Sequence, residues 1–154
     1  MRVTVQLTGD QMETHIRAYM DACTSGDAEA IAGYFEPDGV HYFPTGMYGG
    51  PFVGARVIGE RFAAAVREGG SAWTVDAVVT DAPRQQAVVE WTHFKRRAGV
   101  ILRGCEWYVF SDEGLIQEIR AYYASPQADN LTHLGLGEYD YEGRGYPLAA
   151  EPAE

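Results

Sequence analysis

The sequence predicts an α+β fold in which three helices from the N-terminal half lie on one face of a curved, mainly antiparallel sheet. Three observations carry that expectation. Apolar residues recur at helical spacing up to about residue 68 and at a spacing of two from about residue 72. The breaks between the later segments are short enough for hairpins. Helical segments come first and strands last, which does not build the alternating units of a parallel sheet.

The elements follow in order. Residues 2–7 alternate and read as an extended leader. Thr8 or Asp10 caps a first helix running to about Thr24, with Met12, Ile16, Tyr19, Met20 and Cys23 along one stripe. Ser25-Gly26-Asp27 breaks that helix and caps a short second one, which turns Ile31, Tyr34 and Phe35 inward. Pro37-Asp38-Gly39 reads as a turn, with Asp38 as a turn-former. Val40 to Phe43 is a strand ended by Pro44. Glycines at 46, 49, 50 and 54 with Pro51 make 45–54 a loop. Residues 55–68 form a helix with Ile58, Phe62 and Ala65 on one face. Strands are expected at 72–80, 86–95, 100–111 and 115–124. Residues 125–154, rich in Gly, Pro and Tyr, read as an irregular tail over the surface or a pocket mouth. The chain, 1–154, is expected to be a single domain.

Composition excludes several classes of function. Twenty-two acidic against 12 basic side chains give a formal charge of -10. That field repels nucleic acid and anionic membranes, and disfavours a strongly anionic substrate unless the pocket is locally basic. No run approaches the roughly 20 apolar residues of a membrane span. Residues 1–10 hold no apolar run of a signal peptide. Cys23 and Cys105 lack metal-type spacing, so a reduced, cytoplasmic chain is expected. Phosphate-loop, dinucleotide and serine-hydrolase motifs are absent.

Particular words carry a resemblance. They are Tyr19-Met-Asp-Ala-Cys-Thr-Ser-Gly-Asp27, Tyr34-Phe-Glu-Pro-Asp-Gly-Val40, Phe52-Val-Gly54, Gly114-Leu-Ile-Gln-Glu-Ile-Arg-Ala-Tyr-Tyr123 and, in the tail, Arg144-Gly-Tyr-Pro147. In this order the chain resembles the nuclear transport factor 2-like (NTF2-like) superfamily, in particular its SnoaL-like branch, over residues 10–124. The resemblance implies a cone-shaped, cystatin-like α+β barrel, usually a homodimer through the outer sheet face. It also implies which strand faces point into the cone. His41 and Phe43 point in, with Tyr42 out. Trp91 and His93 point in, as do Gly104, Glu106 and Tyr108. Ile119, Ala121 and Tyr123 point in, with Arg120 out; Tyr19 reaches in from the first helix.

Fold does not settle chemistry, so the expectation rests on these residues. Tyr19 and Glu106 fall where ketosteroid isomerases place their oxyanion-hole tyrosine and aspartic acid, a pair that donates hydrogen bonds to a developing enolate. That family's base position is Phe43 here, which moves no proton. The water-activating triad of limonene-type epoxide hydrolases falls on His93, Trp91 and Ala121, and none of the three is kept. His41 takes the place of a water-orienting tyrosine. What remains is a cluster of Tyr19, His41, His93 and Glu106. Histidine suits acid/base work near neutrality, so His93 is expected to be the base, oriented by Glu106 on the neighbouring strand. Tyr19 and His41 are expected to donate to the developing oxyanion. Phe43, Trp91, Tyr108, Ile119 and Tyr123 are the substrate-binding wall.

The function expected is a cofactor-free isomerase, dehydratase or cyclase acting on a small, largely apolar cyclic metabolite such as a polyketide- or steroid-like compound. The alternatives are an epoxide hydrolase or epoxide-opening cyclase, and a noncatalytic binding or interaction module. No metal is expected, since no two of His41, His93 and Glu106 sit at close i, i+2 or i, i+4 spacing. His15 and His133 read as solvent or tail residues and Cys105 as packing away from the pocket. Glu138, Asp140 and Glu142 read as a solvated face.

Overall fold

The structure, a computed structural model, describes residues 4–123 and 136–145. Its elements are α1 (Gly9–Ser25), α2 (Ala28–Ala32), β1 (Phe35–Tyr42), β2 (Phe52–Val53), α3 (Ala55–Gly69), β3 (Ser71–Asp81), β4 (Gln86–Lys95), β5 (Val100–Phe110) and β6 (Ile116–Tyr122). The strands form one sheet in the order β2-β1-β6-β5-β4-β3. This is the α+β architecture expected, an open curved sheet with three helices.

Local chemistry explains the helix ends. Thr8 accepts a hydrogen bond from the Gln11 amide while the Gln11 side chain reaches back to the Thr8 amide, a complete capping box. Gly26 closes α1 in the left-handed conformation, φ 73°, which a glycine adopts without a Cβ penalty. The stripe Met12, Ile16, Tyr19, Met20 and Cys23 is buried throughout. It packs against the inner sheet face, where Val89, Tyr108 and Ile119 are fully enclosed.

Four features differ from the sequence expectations. The second helix ends at Ala32, and Phe35 belongs to β1. Pro37-Asp38-Gly39 is an irregularity inside that strand, where the register against β6 shifts between Phe35 and Val40. Pro37 has no N–H to give a ladder, so the irregularity falls there. The loop after Phe43 contains β2, which pairs with β1. Finally, β1 runs parallel to β6, the one parallel pair among the described residues.

His15 is half-buried, with Nε2 3.2 Å from the Tyr34 carbonyl oxygen and its ring edge-on to Tyr34 and Phe110. Burial moves its pKa down. It is a packing residue, not a solvent one; His133 lies outside the described residues. Residues 136–145 lie on the outer sheet face. Tyr139 packs edge-on against Tyr42, and Arg144 clasps Glu118 through two nitrogens, at 2.6 and 3.1 Å. Arg120 leaves the outer face as expected, yet it is buried there between Glu118 and the rings of Trp107 and Tyr139. Glu138, Asp140 and Glu142 are exposed.

Candidate functional site

A cavity of about 800 Å³ opens between α3 and the inner face of the sheet. Of the nine residues expected at the site, Phe43, Trp91, His93, Glu106 and Tyr123 line it. Tyr19, His41, Tyr108 and Ile119 are almost completely buried and lie outside its lining.

Alternation on β5 brings Glu106 and Tyr108 to the same face, and the Tyr108 hydroxyl donates to Glu106 Oε2 at 2.6 Å. Between β5 and β1 lies β6, and across it His41 Nε2 comes within 3.4 Å of Glu106 Oε1. The other ring nitrogen, Nδ1, sits 3.3 Å from the Tyr42 carbonyl oxygen, which can only accept. Nε2 faces the Glu106 carboxyl at 3.4 Å but is a buried nitrogen with no hydrogen-bond partner among the described residues. Phe43 stacks on the imidazole with ring centres 4.2 Å apart and planes 11° apart, which fixes its orientation.

The expected His93–Glu106 dyad is not formed. The β4–β5 register sets Glu106 opposite Val89 and His93 opposite Leu102, four positions further along β4, or about 13 Å of strand. His93 Nε2 instead meets Ser71 Oγ at 2.8 Å, and its ring stacks on Trp73 at 4.4 Å. Burial, and next the Lys95 ammonium, lower its pKa to about 4. At neutral pH His93 is an uncharged imidazole held at the cavity wall.

Tyr19 lies behind the floor of the cavity, edge-on to Phe35 with ring centres 5.2 Å apart. Burial, above all, pushes the Tyr19 and Tyr108 hydroxyls far above the usual tyrosine range, so both remain protonated donors. Burial likewise keeps the Cys23 thiol protonated. Tyr123 is pushed up in the same way and hydrogen-bonds Tyr48 at the mouth. Among the described residues no three His, Cys, Asp or Glu side chains gather as a metal site requires.

Several lining residues escaped the sequence reading. Ser71 and Trp73 on β3 are the main ones. Their spacing of two was a usable signal, but β3 carries an irregularity between Val75 and Ala77 that breaks the pattern further along. Tyr48, Arg61, Lys95 and Arg97 form the mouth.

The comparisons with known proteins bear on the family and the fold. The pattern of the SnoaL-like domain family matches residues 16–119. The chain belongs to that family, a branch of the NTF2-like superfamily. Among solved structures it is similar to a protein of unknown function with a cystatin-like fold from Methylobium petroleophilum PM1. The two are 48% identical, with a TM-score of 0.90, and 97% of this chain and 100% of that one are covered. It is also similar in fold to SalBIII, described as an epoxide hydrolase/cyclase-like enzyme in pyran ring formation in the polyether salinomycin. There the identity is 15%, the TM-score 0.63, and the coverage 84% of this chain and 97% of that one. A search of curated proteins finds no match.

Proposed function

We propose that this chain is a cofactor-free acid/base enzyme, an isomerase, dehydratase or cyclase, acting on a largely apolar cyclic compound. The observation that carries the reading is Glu106. It is a buried carboxyl that lines an aromatic-walled cavity and is backed by the Tyr108 hydroxyl and His41 Nε2. Buried acids are rare unless paired or used, and this one is both backed and open to a ligand. In this reading Glu106 transfers the proton. His41 and Tyr108 position it and hold its charge state, and Tyr19 supports them from α1. His93, neutral and oriented by Ser71, hydrogen-bonds the substrate. Phe43, Trp91, Trp73 and Tyr123 form the wall, with Ile119 beneath it.

The test screens polycyclic ketones and epoxides in heavy water and in ¹⁸O-labelled water, with products read by mass spectrometry. Deuterium taken up beside a carbonyl marks isomerase-type chemistry. Glu106→Gln keeps the shape and lowers turnover by about 10²–10⁴-fold; undiminished turnover in that variant sinks the assignment.

A second reading, epoxide opening, draws on the same carboxyl. An acid facing an aromatic-walled cavity delivers a proton to an epoxide oxygen, and the chemistry named for SalBIII is of that kind. Label from ¹⁸O water in a diol favours hydrolysis, and an unlabelled ring favours cyclisation. If neither label moves and ligands bind unchanged, the chain is a binding module.

We also infer a homodimer through the outer face, where Trp107 and Tyr122 remain exposed beyond the segment 136–145. Light scattering at the monomer mass overturns it. Both cysteines are free thiols, which fits a reducing, cytoplasmic setting. Among the described residues no helix is long and apolar enough to cross a membrane.

A further inference from the structure

We infer that the cavity mouth is an anion seat, and that the compound it takes is an apolar fused-ring body bearing a carboxylate. This rests on the reading of the cavity as the reaction site and adds the charge of its substrate.

Lys95 follows Trp91 and His93 at a spacing of two on β4, so its side chain leaves the same sheet face. It lines the cavity, is half-buried, and has no acidic partner among the described residues. Its ammonium is felt within the cavity, since it helps to depress the His93 pKa. Two more cations line the mouth, Arg61 from α3 and Arg97 from the turn after β4. Both are held by backbone carbonyls, not by carboxylates. Arg61 donates to the Tyr48 oxygen at 2.6 Å, with its guanidinium 4.7 Å above the Phe52 ring. Arg97 donates to the Glu68 backbone oxygen at 2.6 Å.

The one acid at the mouth, Glu68, turns its carboxylate to Arg67 at 3.6 Å. Three cations therefore line the cavity with no carboxylate partner among the described residues, in a chain whose formal charge is -10. A guanidinium has five donors and an ammonium three, so each keeps donors for an anion. This is the locally basic pocket that reopens the case for an anionic substrate.

Geometry sets the body of that substrate. Lys95 and the residue opposite Glu106, Val89, are six positions apart on β4, about 20 Å of strand. A span of that length, walled by Trp73, Trp91 and Phe62, suits fused rings better than a single ring. A carboxylate anchored at Lys95 then sets the far end of the rings against Glu106.

Isothermal titration of the full chain with 2-naphthoate and with uncharged 2-naphthamide tests this. Naphthoate should bind about tenfold tighter in about 20 mM salt, and the preference should shrink at about 300 mM. Lys95→Met should abolish the preference and Lys95→Arg retain it, with thermal unfolding checking that each variant is folded. Equal affinities in the native chain, a preference that survives Lys95→Met, or no binding of either compound overturns the seat. Glu106→Gln separates the two readings. A preference for naphthoate beside undiminished turnover removes the proton-transfer role and leaves the seat. Turnover lost in Glu106→Gln, beside equal affinities in the native chain, removes the seat and leaves the role.

Discussion

Tyr108 and Glu106 stand two residues apart on one strand, and their hydrogen bond is set by alternation alone. Removing the donor takes away the hydrogen bond to Oε2 and leaves His41 Nε2 3.4 Å from Oε1. Tyr108→Phe should therefore lower turnover about tenfold and shift the pH profile, with the cavity intact. A rate lost equally at every pH would instead mark a structural role. His41 is the residue the sequence placed but could not pair. Its inward direction was legible from its spacing with Phe43. Its meeting with Glu106 was not, because that depends on β6 lying between β1 and β5. His93 shows the reverse. Residue type and direction made it a base on paper. Yet register put it beside Ser71 and Trp73, and burial with a neighbouring ammonium keeps it neutral.

Elements carry a different kind of constraint. The stripe of α1 was legible because five apolar side chains at helical spacing have one way to be buried together. The irregularity in β1 was not, since Pro-Asp-Gly has the composition of a free turn as much as of a bulge. On β5, Gly104 sits where a Cβ would meet the Tyr122 carbonyl oxygen at 2.8 Å, and Trp91 Cζ2 and Tyr123 Cβ each at 2.9 Å. A glycine there leaves room for the Trp91 indole to approach the strand. Gly104→Ala should cost about 1–3 kcal/mol and alter the near-ultraviolet circular dichroism of the tryptophans; an unchanged spectrum contradicts this account. At the N-terminus of α1, Thr8→Ala removes the capping box and should cost about 1 kcal/mol by denaturant unfolding. On the outer face, Arg144→Ala frees Glu118 from its clasp. Amide exchange in 136–145 should then rise while β4 and β5 stay protected.

At the scale of the molecule, buried imidazoles tie stability to pH. The folded His93 pKa of about 4 lies below its ordinary value of 6.5, so between those limits the unfolded chain binds a proton that the folded chain does not. Stability is full above pH 6.5 and falls toward pH 4, with His15 adding in the same direction. His93→Gln should flatten the melting temperature over that window, and an unchanged slope refutes the assignment. The parallel pairing of β1 with β6 has a consequence in time. During synthesis β1 emerges early, but its parallel neighbour β6 is the last strand among the described residues, some 80 residues later. Until β6 inserts, β1 and β5 both present open edges, and His41 and Glu106 belong to separate halves of the chain. The candidate site is thus assembled only when β6 joins the sheet. In a nascent or stalled chain the two bare edges are the surfaces through which it would self-associate.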